Sequence, residues 1–297
     1  MIKGKAGAIA VFVVFSLTST GWVHQSEAAS VKLRYGFKPG AVYRVTEQDH
    51  NVSKTVTEMD VMGQLQRFES PSDQVSSGTW SARAVGKVKD GVKLQVEYGQ
   101  RKGGERWSAG KVDAGSIFGK SSAEVIIHPV KGVMEIKSLP AGDQIIDIIY
   151  QGRFAWMPKL PEKEIKVGGG FTHEYVLNSG MYHVKSTDEY YLVEVKSGFA
   201  IFDVETKTVA VIRMSQAPTP EGMPSGVAMN MGDMKMAYKG SGTAVFDMKE
   251  GIFVEREGKM SYSNMDTTEG SSPLPGGMSF SSRMEGVTKY QFEMERE

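Results

Sequence analysis

The chain contains no cysteine in its 297 residues. Disulfides and thiolate metal sites are thereby excluded, and a fold of this size must be held by burial alone. It also lacks any excess of one charge, with 35 Lys and Arg against 35 Asp and Glu. A balanced surface offers no long-range field to gather phosphates, so nucleic acid is not an expected partner. Long hydrophobic runs are missing too. The one continuous apolar stretch, about Ala6 to Leu17, is shorter than the roughly 20 residues that a spanning helix needs.

What precedes and follows that stretch gives it a meaning. Lys3 and Lys5 lead in, and Ser26 and Ala28 sit at the −3 and −1 places of a small-residue cleavage site. Residues 1–28 therefore read as a secretory signal peptide. Its removal takes two basic residues and one acidic residue, leaving a net charge of −1. No cysteine follows the apolar run to carry a lipid, so the mature chain is expected in the periplasm or outside the cell, not spanning the membrane. Residues 29–297 are long enough for a single large β-rich domain.

Most of this mature chain alternates apolar and polar residues between short turns. In "SARAVGKVKDGVKLQVEY", Val92, Leu94, Val96 and Tyr98 alternate with Lys93, Gln95 and Glu97 after an Asp90-Gly91 turn. Comparable hairpin signals fall at Lys131-Gly132, Asn178-Ser179-Gly180, Ser197-Gly198 and Glu250-Gly251. The fold class that follows is mainly β, a curved antiparallel meander or half-open barrel. It divides into two β-meander halves, 31–137 and 163–297, joined by a 138–162 connection. "RYGFKPGAVYRV" (34–45) and "HEYVLNSGMYHV" (173–184) share an aromatic, turn glycine and Tyr-x-Val, a faint sign of duplication. Segments 99–124, 214–234 and 266–283 are rich in glycine, proline or serine and read as loops.

One piece breaks the strand pattern. In "AGDQIIDIIYQGRFAWMPKLPEKEIKVGGGF", Ile145, Ile146, Ile148 and Ile149 share one side of a helix, with Trp156 in line. Asp143, Gln144, Asp147 and Gln151 fall on the other. Pro140 suits a first turn and Pro158 ends the run, so the pattern predicts an amphipathic helix over about 140–151 that covers the curved sheet. Isoleucine also favours strands, which leaves an extended alternative open.

Candidate chemistry is sparse. His50, His128, His173 and His183 survive signal removal without a ligand spacing; only His173 and His183 could meet, across a hairpin. "MNMGDMKM" (229–236) offers thioethers that suit Cu(I), but the same residues suit an apolar strand face better. "GSIFGKSS" lacks the first glycine of a phosphate loop, which is Ala114 here. There is no G-x-S-x-G, and Asp188 and Glu189 point to opposite faces of a strand. Neither a catalytic set nor a cofactor or metal site emerges. The expected groove is apolar and lined by Ile145, Ile149, Trp156, Met229, Met231, Met234 and Met236.

Three motifs carry a resemblance. "LRYGFKPGAVYRV", "PKLPEKEIKVGGGF" and "GSGTAVFDMKEGIFVEREGKMSY" resemble a family of uncharacterised exported bacterial β-rich domains of unknown function. Where that family has a small polar residue and Trp after its mid-chain element, this chain has Gly169, Gly170 and Phe171. The resemblance implies a periplasmic or surface β protein with no assigned activity. At fold level alone, a curved sheet around a helix is similar to periplasmic lipoprotein carriers. The expected function is a non-enzymatic cell-envelope module that binds a lipid, another apolar ligand or an envelope protein. The alternative is a scaffold with no pocket, and an envelope hydrolase ranks third.

Overall fold

A computed structural model describes residues 29–61, 63–102, 122–139, 157–179, 182–213, 230–231, 233–264, 268–271 and 278–297. The expected helix over 140–151 lies outside them, and among the described residues no helix forms. The strands are β1 (30–31), β2 (42–61), β3 (64–88), β4 (91–102), β5 (122–128), β6 (132–139), β7 (165–166), β8 (170–179), β9 (182–196), β10 (199–212), β11 (230–231), β12 (234–247), β13 (252–264), β14 (268–271) and β15 (278–296).

The long strands form one curved antiparallel sheet in the order β6-β5-β4-β3-β2-β15-β13-β12-β10-β9-β8. Most neighbours are consecutive in sequence; the short β11 and β14 pair with each other off this path, and β14 also pairs with β15. The last strand, β15, pairs with β2 over its whole length, from Met278↔Val61 to Arg296↔Tyr43. The edges β6 and β8, which a closed barrel would join, do not pair with each other. The sheet is therefore an up-and-down ribbon closed at its sequence ends and open in its sequence middle.

Turn chemistry explains the hairpins. Ser197 and Gly198 both have positive φ, 52° and 88°, which matches the right-handed twist of β9 and β10. Strands run further than turn-rich composition suggests. β4 continues to Lys102, β5 begins at Ser122, β14 occupies 268–271 and β15 begins at Met278. These stretches correct the loop boundaries expected at 99–124 and 266–283.

One end of the inner face is densely packed. Tyr43, Val45, Trp80, Ala82, Leu94, Val96, Val125, Ile127, Leu192, Phe202, Phe246 and Phe292 alternate inward from eight strands of the sheet and are all buried. Aromatic pairs tie adjacent strands: Phe171 stacks on Tyr190 at 4.7 Å, and Phe246 meets Phe253 edge-on at 5.0 Å. Two segments cover this end. Residues 29–37 alternate like a strand, burying Val31, Leu33, Tyr35 and Phe37, yet they cross the sheet rather than join it. Tyr35 N donates to Pro129 O, and Gly36 N to Gly251 O. Residues 157–169 return from the β6 side to β8 and β9. Leu160 N donates to Val130 O, Tyr35 Oη to Pro158 O, and Gly168 N to Leu192 O. Segments 34–45 and 173–184, alike in sequence, thus differ in structure: one begins as a cross-piece, the other forms a hairpin.

Gly251 is required where the cross-piece meets the β12–β13 turn. It has φ +68°, and a Cβ there would lie 2.5 Å from Gly36 N. Glu250 beside it clamps the same corner, accepting from Lys38 Nζ at 2.7 Å and from Arg296 at 3.2 Å. Hydrogen bonding from Lys38 lowers its carboxyl below the ordinary 4.5, opposed by burial and aided by Arg296. A lowered carboxyl contributes stability above its unfolded value, and that contribution is lost as pH falls through the lower folded one. Glu250→Gln should therefore reduce Tm at neutral pH, with a cost of about 0.5–1 kcal/mol. Thermal melts of variant and wild type should converge as pH drops through and below 4.5.

The outer face is charged. Lys54 pairs with Glu69 at 2.8 Å, Arg67 with Glu58 at 3.7 Å and Lys93 with Glu124 at 2.6 Å. Apolar outward residues such as Val52, Val176 and Val209 stand among these charges.

Candidate functional site

Beyond the packed end, the inner face changes character at one layer. Ser186, Asp188 and Tyr190 of β9 are buried, as is Thr206 of β10 opposite Asp188. Arg256 of β13 reaches across β12 and β10 to this row. Its Nη2 donates to Asp188 Oδ2 at 3.2 Å and its Nη1 to Tyr190 Oη at 3.2 Å. Thr206 Oγ1 donates to Asp188 Oδ1 at 2.8 Å and lies 3.5 Å from Arg256 Nη2. The guanidinium carbon sits 5.8 Å from the Tyr190 ring centre and 5.9 Å from that of Tyr290.

The two charges are almost fully desolvated, with side-chain exposures of 12% and 2%. Burial works against the Arg256 cation. The phenol of Tyr190, the Asp188 carboxylate, and Tyr290 and Tyr175 more than offset it, and the guanidinium stays protonated. Burial pushes the Tyr190 phenol far above its ordinary value, and the Tyr175 phenol is raised for the same leading reason. This layer therefore holds a fixed cation, an anion locked by two donors, and neutral phenols. Neither the guanidinium nor the phenols of Tyr190 and Tyr175 are poised to gain and lose a proton near neutrality.

Above the ion pair the inner wall is half-exposed and rich in methionine and tyrosine. Met234, Met236 and Tyr238 of β12, Met260 and Tyr262 of β13, and Met284 of β15 continue the inward alternation. Tyr238 and Tyr262 face each other at 5.4 Å. Tyr238 Oη donates to Met236 Sδ at 3.5 Å, and Tyr262 Oη to Asn51 Oδ1 at 2.9 Å. Glycine makes room for the Tyr290 ring beside Arg256: a Cβ on Gly258 would lie 2.5 Å from Tyr290 Oη. Gly258→Ala should displace Tyr290 at a cost of about 1–3 kcal/mol in chemical unfolding.

The expected groove residues separate as follows. Met236 is buried and Met234 half-buried, on one face of β12. Met231 lies in β11, which pairs with β14 through Met231↔Gly270. Met229, Ile145, Ile149 and Trp156 lie outside the described residues. His173 and His183 are not brought together. His173 is opposite Asp188 and accepts from Lys159 N at 3.2 Å, whereas His183 is opposite Asn178. Asp188 and Glu189 do point to opposite faces, and it is Asp188 that enters the core.

Sequence reasoning passed over Arg256. Strict alternation from the buried Ile252 and Phe253 gives no single face, because a bulge lies here: Val245 pairs with Glu255 but Phe246 with Phe253. The extra residue, Val254, re-aims the strand so that Arg256 points inward. The signal that remained was Asp188 at the centre of the inward series Ser186, Asp188, Tyr190, Leu192.

No family model matches the chain, and no curated protein matches it. Among solved structures it is similar to the outer membrane protein OprG from Pseudomonas aeruginosa, at 9% identity and a TM-score of 0.28. That alignment covers 88% of this chain and 98% of OprG. It is also similar to Ail, the attachment invasion locus protein of Yersinia pestis, at 5% identity and a TM-score of 0.12, covering 82% of this chain and 97% of Ail. OprG is an outer membrane protein, not one of the lipoprotein carriers suggested by the sequence. Superpositions this loose carry no functional argument.

Proposed function

We propose that the chain is an exported, non-enzymatic cell-envelope protein that holds an apolar ligand on its inner wall. The observation that carries this reading is the division of the inner face. Below Asp188 and Arg256 the apolar residues are packed to exclusion of solvent, while above them Met234, Met260, Met284 and Tyr262 remain half-exposed. Thioethers are polarizable and unbranched, so they adapt to a flexible apolar guest. The signal-like residues 1–28 support export. The charged outer face supports a protein that does not span a bilayer, since spanning barrels turn an apolar band outward.

Native mass spectrometry and lipid extraction of protein purified from its own envelope test the proposal. A copurifying apolar molecule lost in Met236→Gln is the expected result. A consistently empty protein contradicts it. A second reading, a scaffold that docks another protein, has one specific support: β6 and β8 present unpaired edges among the described residues, and such edges accept an added strand.

A further inference from the structure

The outer face holds a second candidate site. On β12, β13 and β15, Lys239, Lys259 and Lys289 are exposed, and among the described residues their ammonium groups have no acidic partner. Register places them against their own kind. Lys259 lies directly opposite Lys289, and Lys239 directly opposite Lys207 of β10. Lys289 in turn lies opposite His50 of β2. Like charges directly across a sheet destabilise it, so an arrangement with no acid interposed calls for a counter-charge from outside.

The basic residues run diagonally over five neighbouring strands, about 19 Å at the usual strand spacing. At the ends, Lys207 lies 3.9 Å from Glu189 and His50 bonds Asp73 at 2.7 Å. The three central lysines border two shallow depressions of 510 and 610 Å³. Hydroxyl and amide groups line them too: Ser241, Thr243 and Gln291 in one, Ser261 and Ser263 in the other. Acids flank the diagonal on both sides. Glu205 and Glu257 stand toward the packed end and Glu285 toward the other, with Glu257 at the border of the first depression and Glu285 at that of the second.

We propose that this diagonal binds an unbranched anionic polysaccharide, with the three lysines on its carboxylates and the serines, threonine and glutamine on its hydroxyls. The flanking acids decide the shape of the ligand. They repel a broad anionic plane such as a bilayer, but leave a lane for a thin chain. Repeated carboxylates along that chain meet a basic group at each strand, and the alternating hydroxyls suit sugar edges better than bare phosphate.

Binding of polygalacturonate to the full chain at low salt tests this. Wild type should bind, and added salt should weaken it. Replacing Lys239, Lys259 and Lys289 together by Gln should weaken binding at least about tenfold. The same variant should melt at or above the wild-type temperature, because opposed charges are removed. Replacing the exposed turn lysines Lys89, Lys131 and Lys249 by Gln makes the same change in net charge and should leave binding within about twofold. Equal losses in the two triple variants would overturn the proposal, as would no binding by wild type. Tighter binding to phosphatidylglycerol vesicles or to single-stranded DNA would also overturn it.

Discussion

Asp188→Ala should lower the unfolding free energy by about 3–5 kcal/mol, because it leaves the Arg256 cation buried without its counter-ion. The geometry sets that scale. Arg256 and Asp188 are 12% and 2% exposed, and among the described residues the side-chain donors to the carboxylate are Arg256 and Thr206. Arg256→Met should cost a comparable amount, since Asp188 then keeps one hydroxyl against a full charge. The double variant, Asp188→Leu with Arg256→Met, should recover most of the loss, because replacing both members of a buried pair by apolar groups is often close to neutral. Urea unfolding of the two single variants and the double variant gives the coupling directly. A double variant as damaged as the sum of the singles would show that the layer is held by packing rather than charge.

Phe202→Ala should be nearly as severe, at about 3–5 kcal/mol. Phe202 is fully buried and lies between Phe171 at 5.9 Å, Tyr190 at 6.2 Å and Phe253 at 6.4 Å. Those rings come from β8, β9 and β13, so one truncation opens a cavity shared by three other strands. The edge-to-face contacts with Phe171 and Tyr190 vanish with it. Phe202→Leu keeps most of the volume and should cost less than about 1.5 kcal/mol. Calorimetric melts of the two variants test the pair. Equal and small losses would place Phe202 outside the core.

Much of this architecture was legible in the residues. Asp90-Gly91, Ser197-Gly198 and Glu250-Gly251 marked real reversals, and in the latter two Ser197, Gly198 and Gly251 supply the positive φ that tight turns use. The alternation of Val92, Leu94 and Val96 assigned a face to β4 correctly, since Leu94 and Val96 are buried. Local chemistry cannot announce what depends on distant partners. The pairing of β15 with β2 joins residues more than 200 positions apart. Pro71 sits inside β3, where proline argues against a strand. It is tolerated because the described β4 partners of β3 begin only at Ser77, leaving β3 one neighbour at that point. The N-terminal cross-piece alternates as a strand does and still joins no long strand. Its hydrogen bonds go to Pro129, Pro158, Gly251 and the short β7, partners that only the folded sheet brings together.

The same contrast holds for the candidate wall. Met234 and Met236 could be singled out because they sit two apart in an apolar pattern, and their shared face follows from strand geometry. Met260, Met284 and Tyr262 join them only through register, by way of Gly240↔Met260 and Tyr238↔Tyr262. Arg256 was hidden by a bulge.

The absence of cysteine makes the central claim directly measurable. Met236→Cys and Lys235→Cys place single thiols on adjacent residues of β12, one on the inner wall and one outside. With an environment-sensitive fluorophore on each, titration with a long-chain apolar ligand should shift the emission at position 236 to the blue and leave position 235 unchanged. Equal responses at the two positions, or none at 236 under saturating ligand, would contradict an inner apolar binding wall.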